Sequence, residues 1–270
     1  MPTFEANGVK LYYEVHGDGE PIVFTHGHSM FHKQWEPQVE ALSRSYRTVV
    51  WDVRGHGHSS LPPGKVDPER FSQDLVALLD HLNLPSAALC GSSMGGHISI
   101  QTAVRYPDRV RALILIGTPF TNSFNRYEKY AVPFSKLSVR LLPYNLTAKW
   151  TAKALSGIRP GNYAFVVEAF SKMSKDRFLR HWSGNLRMES KRDLGKIDCP
   201  TLILHGDRDT MVGRQQRQLA AGIRGSEFYS VSRAHHLTNL DNPEEVNARI
   251  ERFMEKLGNR TTDRGPGAGA

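Results

Sequence analysis

The fold of this 270-residue chain is decided by the stretch Ala87-Ala88-Leu89-Cys90-Gly91-Ser92-Ser93-Met94-Gly95. Its first four residues form a short apolar run that predicts a buried strand, and the residues after Gly95 open a helical pattern. Gly91 and Gly95 flank Ser93 at two residues on either side, and they remove side chains that would collide in a tight turn. A strand that turns directly into a helix is typical of a parallel sheet covered by helices.

Further strands and helices alternate along the chain. The apolar runs that predict strands are Val9–Val15, Pro21–Thr25, Arg47–Asp52, Ser86–Cys90, Ala112–Gly117, Pro200–His205 and Ser226–Val231. Helices are predicted behind Asp67-Pro68 and behind Asn242-Pro243, where each first residue is a suitable N-cap and each proline suits the first helical position. The alternation predicts a mostly parallel α/β sheet with helices on both faces, and we expect the first two runs to form an antiparallel hairpin.

The alternation stops between residues 119 and 198. This segment has no clear strand and holds 12 of the 25 aromatic residues, so we expect a helical insertion. The predicted domains are a core of residues 1–118 and 199–258, a helical cap of residues 119–198, and a polar, Gly-rich tail of residues 259–270 that we expect to be flexible.

The net charge of +8 is concentrated in the insertion, which carries 15 Lys and Arg against 6 Asp and Glu. The rest of the chain is nearly neutral, so we expect no nucleic-acid partner. The opening residues lack a basic start followed by an apolar run, and we expect a cytoplasmic protein with no stable membrane association. Cys90 and Cys199 adjoin predicted strands, where buried free thiols are expected. Homodimer formation is left open.

A catalytic function is indicated by the Ser93 hydroxyl, which the predicted turn would expose above the sheet. A serine hydroxyl is a weak nucleophile, so it needs a base within hydrogen-bond reach and a carboxylate that orients the base. The loops after two later strands supply candidates for both roles, and the residues alone leave two carboxylates and two imidazoles open. These candidates are Asp207, Asp209, His235 and His236.

At these motifs the chain resembles the α/β-hydrolase superfamily, of the esterase, lactonase and C–C hydrolase type, over nearly its whole length. Thr25-His26-Gly27-His28 is similar to the family's oxyanion loop, and Gly91 to Gly96 is similar to its nucleophile turn. Asp52 to Ser59 is similar to its Gly-rich connection. The resemblance implies an α/β-hydrolase fold with a helical cap insertion.

The same resemblance assigns roles to individual residues. The Gly-x-x-Asp pattern from Gly206 makes Asp209 the acid, and the distance from Asp241-Asn242-Pro243 makes His236 the base. The implied catalytic residues are Ser93, Asp209 and His236, and the implied oxyanion donors are the amides of His28 and Met94. The sequence departs from the family where His235 replaces the usual glycine and where His28 replaces the usual large apolar residue.

The implied reaction is hydrolysis of a small or medium carboxylic ester or lactone through an acyl-enzyme on Ser93, with no cofactor. The alternatives are a C–C hydrolase of a vinylogous diketone acid, a perhydrolase or lyase that uses the same serine, and a hydrolase-fold receptor with slow turnover. Basic cap residues could attract an anionic substrate, and the candidates are Arg126, Lys129, Arg177, Arg180, Arg187 and Arg192.

Aromatic residues of the cap are candidates for the substrate pocket, in particular Phe120, Phe124, Tyr127 and Trp182. The histidines at 26, 28, 32, 56 and 58 lie close in sequence, but they lack the spacing of a familiar metal site. We therefore expect no metal, and we expect His26 and the loop of His56 and His58 to form structural hydrogen bonds.

Overall fold

The computed structural model describes residues 2–262, apart from the side chains of residues 126–129, 131–133, 136 and 260–262. The strands are β1 Thr3–Ala6, β2 Val9–His16, β3 Pro21–Thr25, β4 Arg47–Trp51, β5 Ala87–Ser92, β6 Val110–Ile116, β7 Thr201–Gly206 and β8 Glu227–Val231. The α-helices are α1 Glu36–Leu42, α2 Glu69–His81, α3 Met94–Arg105, α4 Arg126–Leu141, α5 Tyr144–Leu155, α6 Asn162–Ser171, α7 Lys175–Asn185, α8 Gly213–Gly222, α9 Thr238–Asp241 and α10 Pro243–Thr262.

One eight-stranded sheet organises these elements in the order β1-β2-β4-β3-β5-β6-β7-β8. The pairs from β4 to β8 are parallel, and the first two strands run antiparallel to their neighbours. Apolar side chains on one face pack with α2 and α3, and those on the other pack with α10. This arrangement confirms the predicted mostly parallel sheet covered on both faces.

The predicted hairpin between the first two apolar runs is wrong. Strand β2 pairs with β1 on one side and β4 on the other, whereas β3 lies between β4 and β5. The Gly-rich link from Gly17 to Glu20 resembles a hairpin turn in sequence, but it carries the chain across β4. The true hairpin is β1-β2, whose turn residues Asn7 and Gly8 have φ of 50° and 73°, as a tight two-residue turn requires.

Helix α10 begins where the sequence predicts. The side chain of Asn242 caps it, since its Oδ1 accepts a hydrogen bond from the Glu245 amide at 3.2 Å. Helix α2 begins at Glu69, one residue later than predicted, and the Asp67 carboxylate accepts a hydrogen bond from the Glu69 amide at 3.1 Å. At the other end α10 extends to Thr262, into the segment predicted as flexible from 259, and residues 263–270 lie outside the described residues.

The four helices α4 to α7 lie between β6 and β7, and we call them the insertion helices. Their two ends meet in a short neck, where Thr121 and Glu189 form an antiparallel bridge. The Ser190 amide donates to the Phe120 carbonyl at 2.9 Å in the same neck. These two contacts bring the ends of the insertion together at one place.

Candidate active site

Ser93 lies in the sharp turn between β5 and α3, with φ 51° and ψ −116°. Few non-glycine residues adopt a positive φ, and such strain is characteristic of functional turns. The Ser93 amide donates to the Ile116 carbonyl at 2.9 Å, which fixes the turn against β6. Added Cβ atoms at Gly91 and Gly95 would collide with the backbones of Gly95 and Thr25, so the turn requires both glycines.

Two further side chains join Ser93 in a chain of hydrogen bonds. His236, in the loop after β8, has Nε2 3.0 Å from Ser93 Oγ and Nδ1 3.0 Å from Asp209 Oδ2. Asp209 follows β7, and its other oxygen accepts hydrogen bonds from the Met211 and Val212 amides at 2.8 and 3.2 Å. The structure therefore brings together a hydroxyl, an imidazole and a carboxylate in the order that activates a serine.

The charge states of this pair follow from burial and from mutual attraction. Burial disfavours the imidazolium, but the charge and hydrogen bond of Asp209 outweigh it and raise the pKa of His236 above 6.5. Burial likewise opposes the Asp209 carboxylate, yet His236 and the two amides lower the pKa of Asp209 below 3.8. Asp209 thus stays ionised at neutral pH and stabilises an imidazolium at His236.

The rival residues that the sequence left open occupy different positions. Asp207 is exposed, and its carboxylate accepts a hydrogen bond from the Ala234 amide at 3.1 Å. His235 has its Nε2 3.3 Å from the Thr210 hydroxyl. The hydrogen bonds that lead to Ser93 run through Asp209 and His236, and Asp207 instead supports the loop that carries His236.

The two predicted oxyanion donors belong to two segments that adjoin Ser93. Met94 is the first residue of α3, and its amide follows the serine directly. The loop after β3 lies against the serine, because a Cβ built on Gly27 would be 3.6 Å from Ser93 Cβ. His28 is the next residue of that loop and lines the cavity above Ser93. The loop is held by Gln34, whose side-chain oxygen accepts a hydrogen bond from the Gly27 amide at 2.9 Å.

The neighbouring histidines form the structural hydrogen bonds that the sequence predicts. His26 Nε2 accepts from the Val53 amide at 3.0 Å, and His56 Nε2 accepts from the Ser29 amide at 3.1 Å. Burial lowers the pKa of His26 to about 4 and that of His28 to about 3, so both rings are neutral near pH 7. Among the described residues no group of three His, Cys, Asp or Glu side chains is arranged to hold a metal ion.

A cavity of about 380 Å³ opens above Ser93 and His236, between the sheet and the insertion helices. Its wall is mainly apolar, with a few uncharged polar side chains. The apolar part includes Met30, Val139, Leu155, Phe170, Phe178, Trp182, Met211, Val212 and Leu237. The polar part includes Thr121, Asn122, Ser135, Thr147, Thr151, Asn185 and Gln215. A volume at the lower end of the usual range for ligand pockets suits a small or medium substrate.

The predicted aromatic lining is only partly present in this wall. Trp182 lines the cavity, and its indole N–H donates to the Ser135 hydroxyl at 3.0 Å. Phe120 is 1% exposed and packs with Phe124 in the hydrophobic core of the sheet, away from the described cavity wall. This corrects the expectation for both phenylalanines, since neither buried Phe120 nor half-buried Phe124 is part of the described wall. The side chain of Tyr127 lies outside the described residues.

Several lining residues were not identified from the sequence. Met211 and Leu237 directly follow the loops of Asp209 and His236, and this adjacency is a signal that could have identified them. Asn122, Thr147 and Asn185 lie in the insertion. No spacing pattern in the sequence indicates that these three residues line the cavity above Ser93.

The cations that the sequence offered for an anionic substrate lie outside the described cavity wall, where the structure describes them. Arg180 donates to the carbonyls of Pro62 and Gly64, the latter at 2.7 Å. Arg187 donates to the Val66 carbonyl. Arg177 is half-buried and Arg192 is exposed, and both are absent from the described cavity wall. The side chains of Arg126 and Lys129 lie outside the described residues. The described wall therefore contains no Lys, Arg, Asp or Glu.

Comparison with known proteins finds similar proteins over nearly the whole chain. A family model described as "alpha/beta hydrolase fold" matches residues 20–136. The chain is similar to the "AB hydrolase superfamily protein YisY" of Bacillus subtilis (strain 168), with 28% identity over 91% of this chain and 95% of that protein. It is also similar to "3-oxoadipate enol-lactonase 2" of Acinetobacter baylyi, with 23% identity over 94% and 97% of the two chains.

A solved structure extends this similarity to the three-dimensional fold. A thermophilic esterase from Thermogutta terrifontis, solved with malate bound, superposes with a TM-score of 0.84 and 26% identity. The superposition covers 94% of this chain and 97% of the esterase. With the sheet and the Ser93 turn described above, these similarities show a hydrolase with the α/β-hydrolase fold.

Proposed function

We propose that this protein hydrolyses an uncharged carboxylic ester or lactone of small or medium size through an acyl-enzyme on Ser93. The observation that carries the proposal is the hydrogen-bonded series Asp209–His236–Ser93, with both donor–acceptor distances 3.0 Å, at the floor of a cavity without charged groups in its described wall. A neutral wall favours a neutral acyl group, because an unpaired charge is costly in an apolar pocket.

In the proposed first half-reaction, Ser93 Oγ attacks the substrate carbonyl carbon while His236 Nε2 accepts the hydroxyl proton. The carbonyl oxygen becomes an oxyanion, which the Met94 and His28 amides stabilise by hydrogen bonds. His236 then donates its proton to the departing alkoxide, and the acyl group remains on Ser93. Asp209 stabilises the imidazolium in this step without taking the proton itself.

In the second half-reaction, water enters the vacated position and gives a proton to His236 as its oxygen attacks the acyl carbon. Collapse of the second oxyanion breaks the bond to Ser93 Oγ, which recovers the proton from His236. The carboxylic acid leaves and the enzyme is regenerated. The insertion helices act as the cap, because their Val139, Phe170 and Trp182 exclude water from the acyl group.

The anionic diketone acid of a C–C hydrolase is the alternative, and the described wall supports it less. Such a substrate needs a cation to hold its carboxylate, whereas Arg180 and Arg187 donate to backbone carbonyls of the segment 62–66. We therefore rank the ester or lactone first.

The test compares hydrolysis of p-nitrophenyl acetate, butyrate and octanoate, and of a neutral lactone series, by wild type and by Ser93→Ala, His236→Ala and His235→Ala. We expect Ser93→Ala and His236→Ala each to lose kcat by on the order of 10⁴-fold or more, and the double variant to lose little beyond either alone. His235→Ala, the matched control, keeps kcat within a few-fold of wild type.

Labelling with a fluorophosphonate completes the test. Wild type should gain the mass of one probe, and Ser93→Ala should gain none. Labelling of Ser93 without turnover of any ester or lactone would point to a receptor or a C–C hydrolase, and equal losses in His235→Ala and His236→Ala would refute the assigned base.

A further inference from the structure

Most of the exposed large apolar side chains in the described part of the chain lie on the insertion helices. Among the described residues, eight large hydrophobic side chains are exposed, and six of them lie in α4 and α5. These six, which we call the apolar stripe, are Tyr130, Phe134, Leu137, Leu141, Leu146 and Trp150. Exposed apolar patches on a folded protein mark sites of interaction with a partner or a membrane.

The stripe follows the helical repeat on α4. Tyr130, Phe134, Leu137 and Leu141 are spaced by four, three and four residues, so they fall within an arc of about 60° on an ideal helix. Phe134 is 66% exposed and Leu141 is 74% exposed. Val139, on the opposite side of the same helix, is buried and lines the cavity above Ser93. Helix α4 therefore directs the apolar side chain of Val139 towards the cavity and four other apolar side chains towards the outside.

Helix α5 has the same two-sided character. Thr147 and Thr151 line the cavity, whereas Leu146 and Trp150 are exposed, the latter at 57%. Lys149 and Lys153 are exposed beside Trp150. Cations next to an exposed aromatic ring are typical of helices that lie in a lipid–water interface.

The charge of this region indicates what kind of surface would cover the stripe. Residues 126–155, which form α4 and α5, contain six Lys or Arg and one Glu. Two copies of the chain that met through this region would bring like charges together, which opposes association. An anionic lipid surface offers both the opposite charge and an apolar layer for the stripe.

We infer that α4 and α5 dock the protein reversibly on an anionic lipid surface, with the apolar stripe inserted at the level of the headgroups. The cavity lies behind the docked helices, because Val139, Thr147 and Thr151 line it. If the function proposed above holds, an apolar ester or lactone dissolved in the lipid is the substrate that docking brings near the cavity. The docking itself does not depend on the reaction proposed above. No helix in the described part of the chain is long and apolar enough to cross a membrane, and the docking requires none.

The test measures sedimentation of the full-length protein with vesicles of phosphatidylcholine alone and of phosphatidylcholine mixed with phosphatidylglycerol. We expect binding to the mixed vesicles, weakened by added salt because the attraction is partly electrostatic. Tryptophan emission should shift to shorter wavelength on binding, since Trp150 is exposed whereas Trp35 and Trp51 are fully buried. Trp150→Phe should remove most of the shift and keep most of the binding.

Paired variants separate the two contributions. Phe134→Ser with Leu141→Ser removes two exposed side chains and should weaken binding by about tenfold or more. Lys149→Gln with Lys153→Gln should weaken binding to the mixed vesicles by at least a similar factor. The matched control is Arg224→Gln with Arg252→Gln, which removes two exposed cations outside the insertion and should leave binding unchanged. Unchanged thermal unfolding will show that each variant is folded.

Equal sedimentation with both kinds of vesicle, or equal weakening by the control pair, would overturn the inference. A concentration-dependent dimer that Phe134→Ser with Leu141→Ser dissolves, without vesicle binding, would overturn it in favour of a second copy. Ser93→Ala should bind vesicles like wild type, so loss of activity and loss of docking can be told apart.

Discussion

His236 lies between a hydroxyl and a carboxylate, and two opposing effects set its affinity for a proton. Burial favours the neutral ring, while Asp209 favours the charged ring and prevails. Without the family resemblance, the residue pattern could not separate His236 from His235, because both follow the same strand and differ by one residue. The loop geometry separates them, since Asp207 and Asp241 hold the backbone of Ala234 and His235 while the His236 ring turns towards Ser93.

This balance predicts the pH dependence of kcat/KM. His236 must be neutral to accept the Ser93 proton, so activity falls as the pH drops through the pKa of His236, which lies above 6.5. In Asp209→Asn the attraction that raises the pKa is gone while burial remains, so the acidic limb should move to lower pH. The maximal kcat should also fall by on the order of 10⁴-fold.

Asp207→Asn is the control for this measurement and should leave the acidic limb in place. The buried His26 and His28 do not contribute to the limb, because their pKa values of about 4 and about 3 lie far below it. An acidic limb that stays at the same pH in Asp209→Asn would contradict the assigned pair.

At the scale of single elements, the turn between β5 and α3 depends on backbone contacts closer than any side chain allows. A Cβ at Gly95 would collide with the Thr25 carbonyl in the neighbouring strand β3. Gly95→Ala should therefore destabilise the protein by about 1–3 kcal/mol or more, because helix α3 must move away from strand β3 to make room. Thermal and urea unfolding measure the loss.

Gly195→Ala provides the comparison, since nothing lies within 4 Å of the position of its added Cβ. This variant should unfold close to wild type. Equal stability of Gly95→Ala and Gly195→Ala would mean that the turn is looser than described.

The elements that the sequence predicts well are those with a strong local signal. The Ser93 turn and the cap of α10 follow from glycine, asparagine and proline chemistry within a few residues. Strand β1 was missed because Thr3–Ala6 is short and only partly apolar, although Asn7-Gly8 is a hairpin signal. The neighbours of β2 and β3 depend on long-range pairing, which no local pattern contains.

For the whole molecule, the sequence predicts the sheet better than the surroundings of the cavity. The residues at the strand ends carry family motifs, so Ser93, Asp209 and His236 could be selected together. An aromatic residue of the insertion can be buried in the core, as Phe120 is, or can line a cavity, as Trp182 does. Both positions shield the ring from water, so the sequence pattern is the same for both. Only the packed structure separates these outcomes.

Two arginines fasten the insertion to the rest of the molecule, and their loss should affect substrate binding more than chemistry. Arg180 and Arg187 on and after α7 donate to carbonyls of the segment 62–66. Their joint replacement by alanine should speed amide exchange in α7 and raise KM several-fold, with a smaller change in kcat. The matched control is Arg177→Ala, a half-buried arginine of the same helix that is absent from the described cavity wall. A fall in kcat without a rise in KM would argue against this role.

The neck formed by Thr121 and Glu189 divides the insertion helices from the sheet that carries the catalytic residues. The neck joins the two ends of the insertion. A change in the length of the segment beyond the neck therefore adds little to the conformational entropy that the chain loses when the sheet forms. The insertion helices over Ser93 can thus change in sequence and length while Ser93, Asp209 and His236 keep their positions. A change of substrate would then require different insertion helices and the same three catalytic residues.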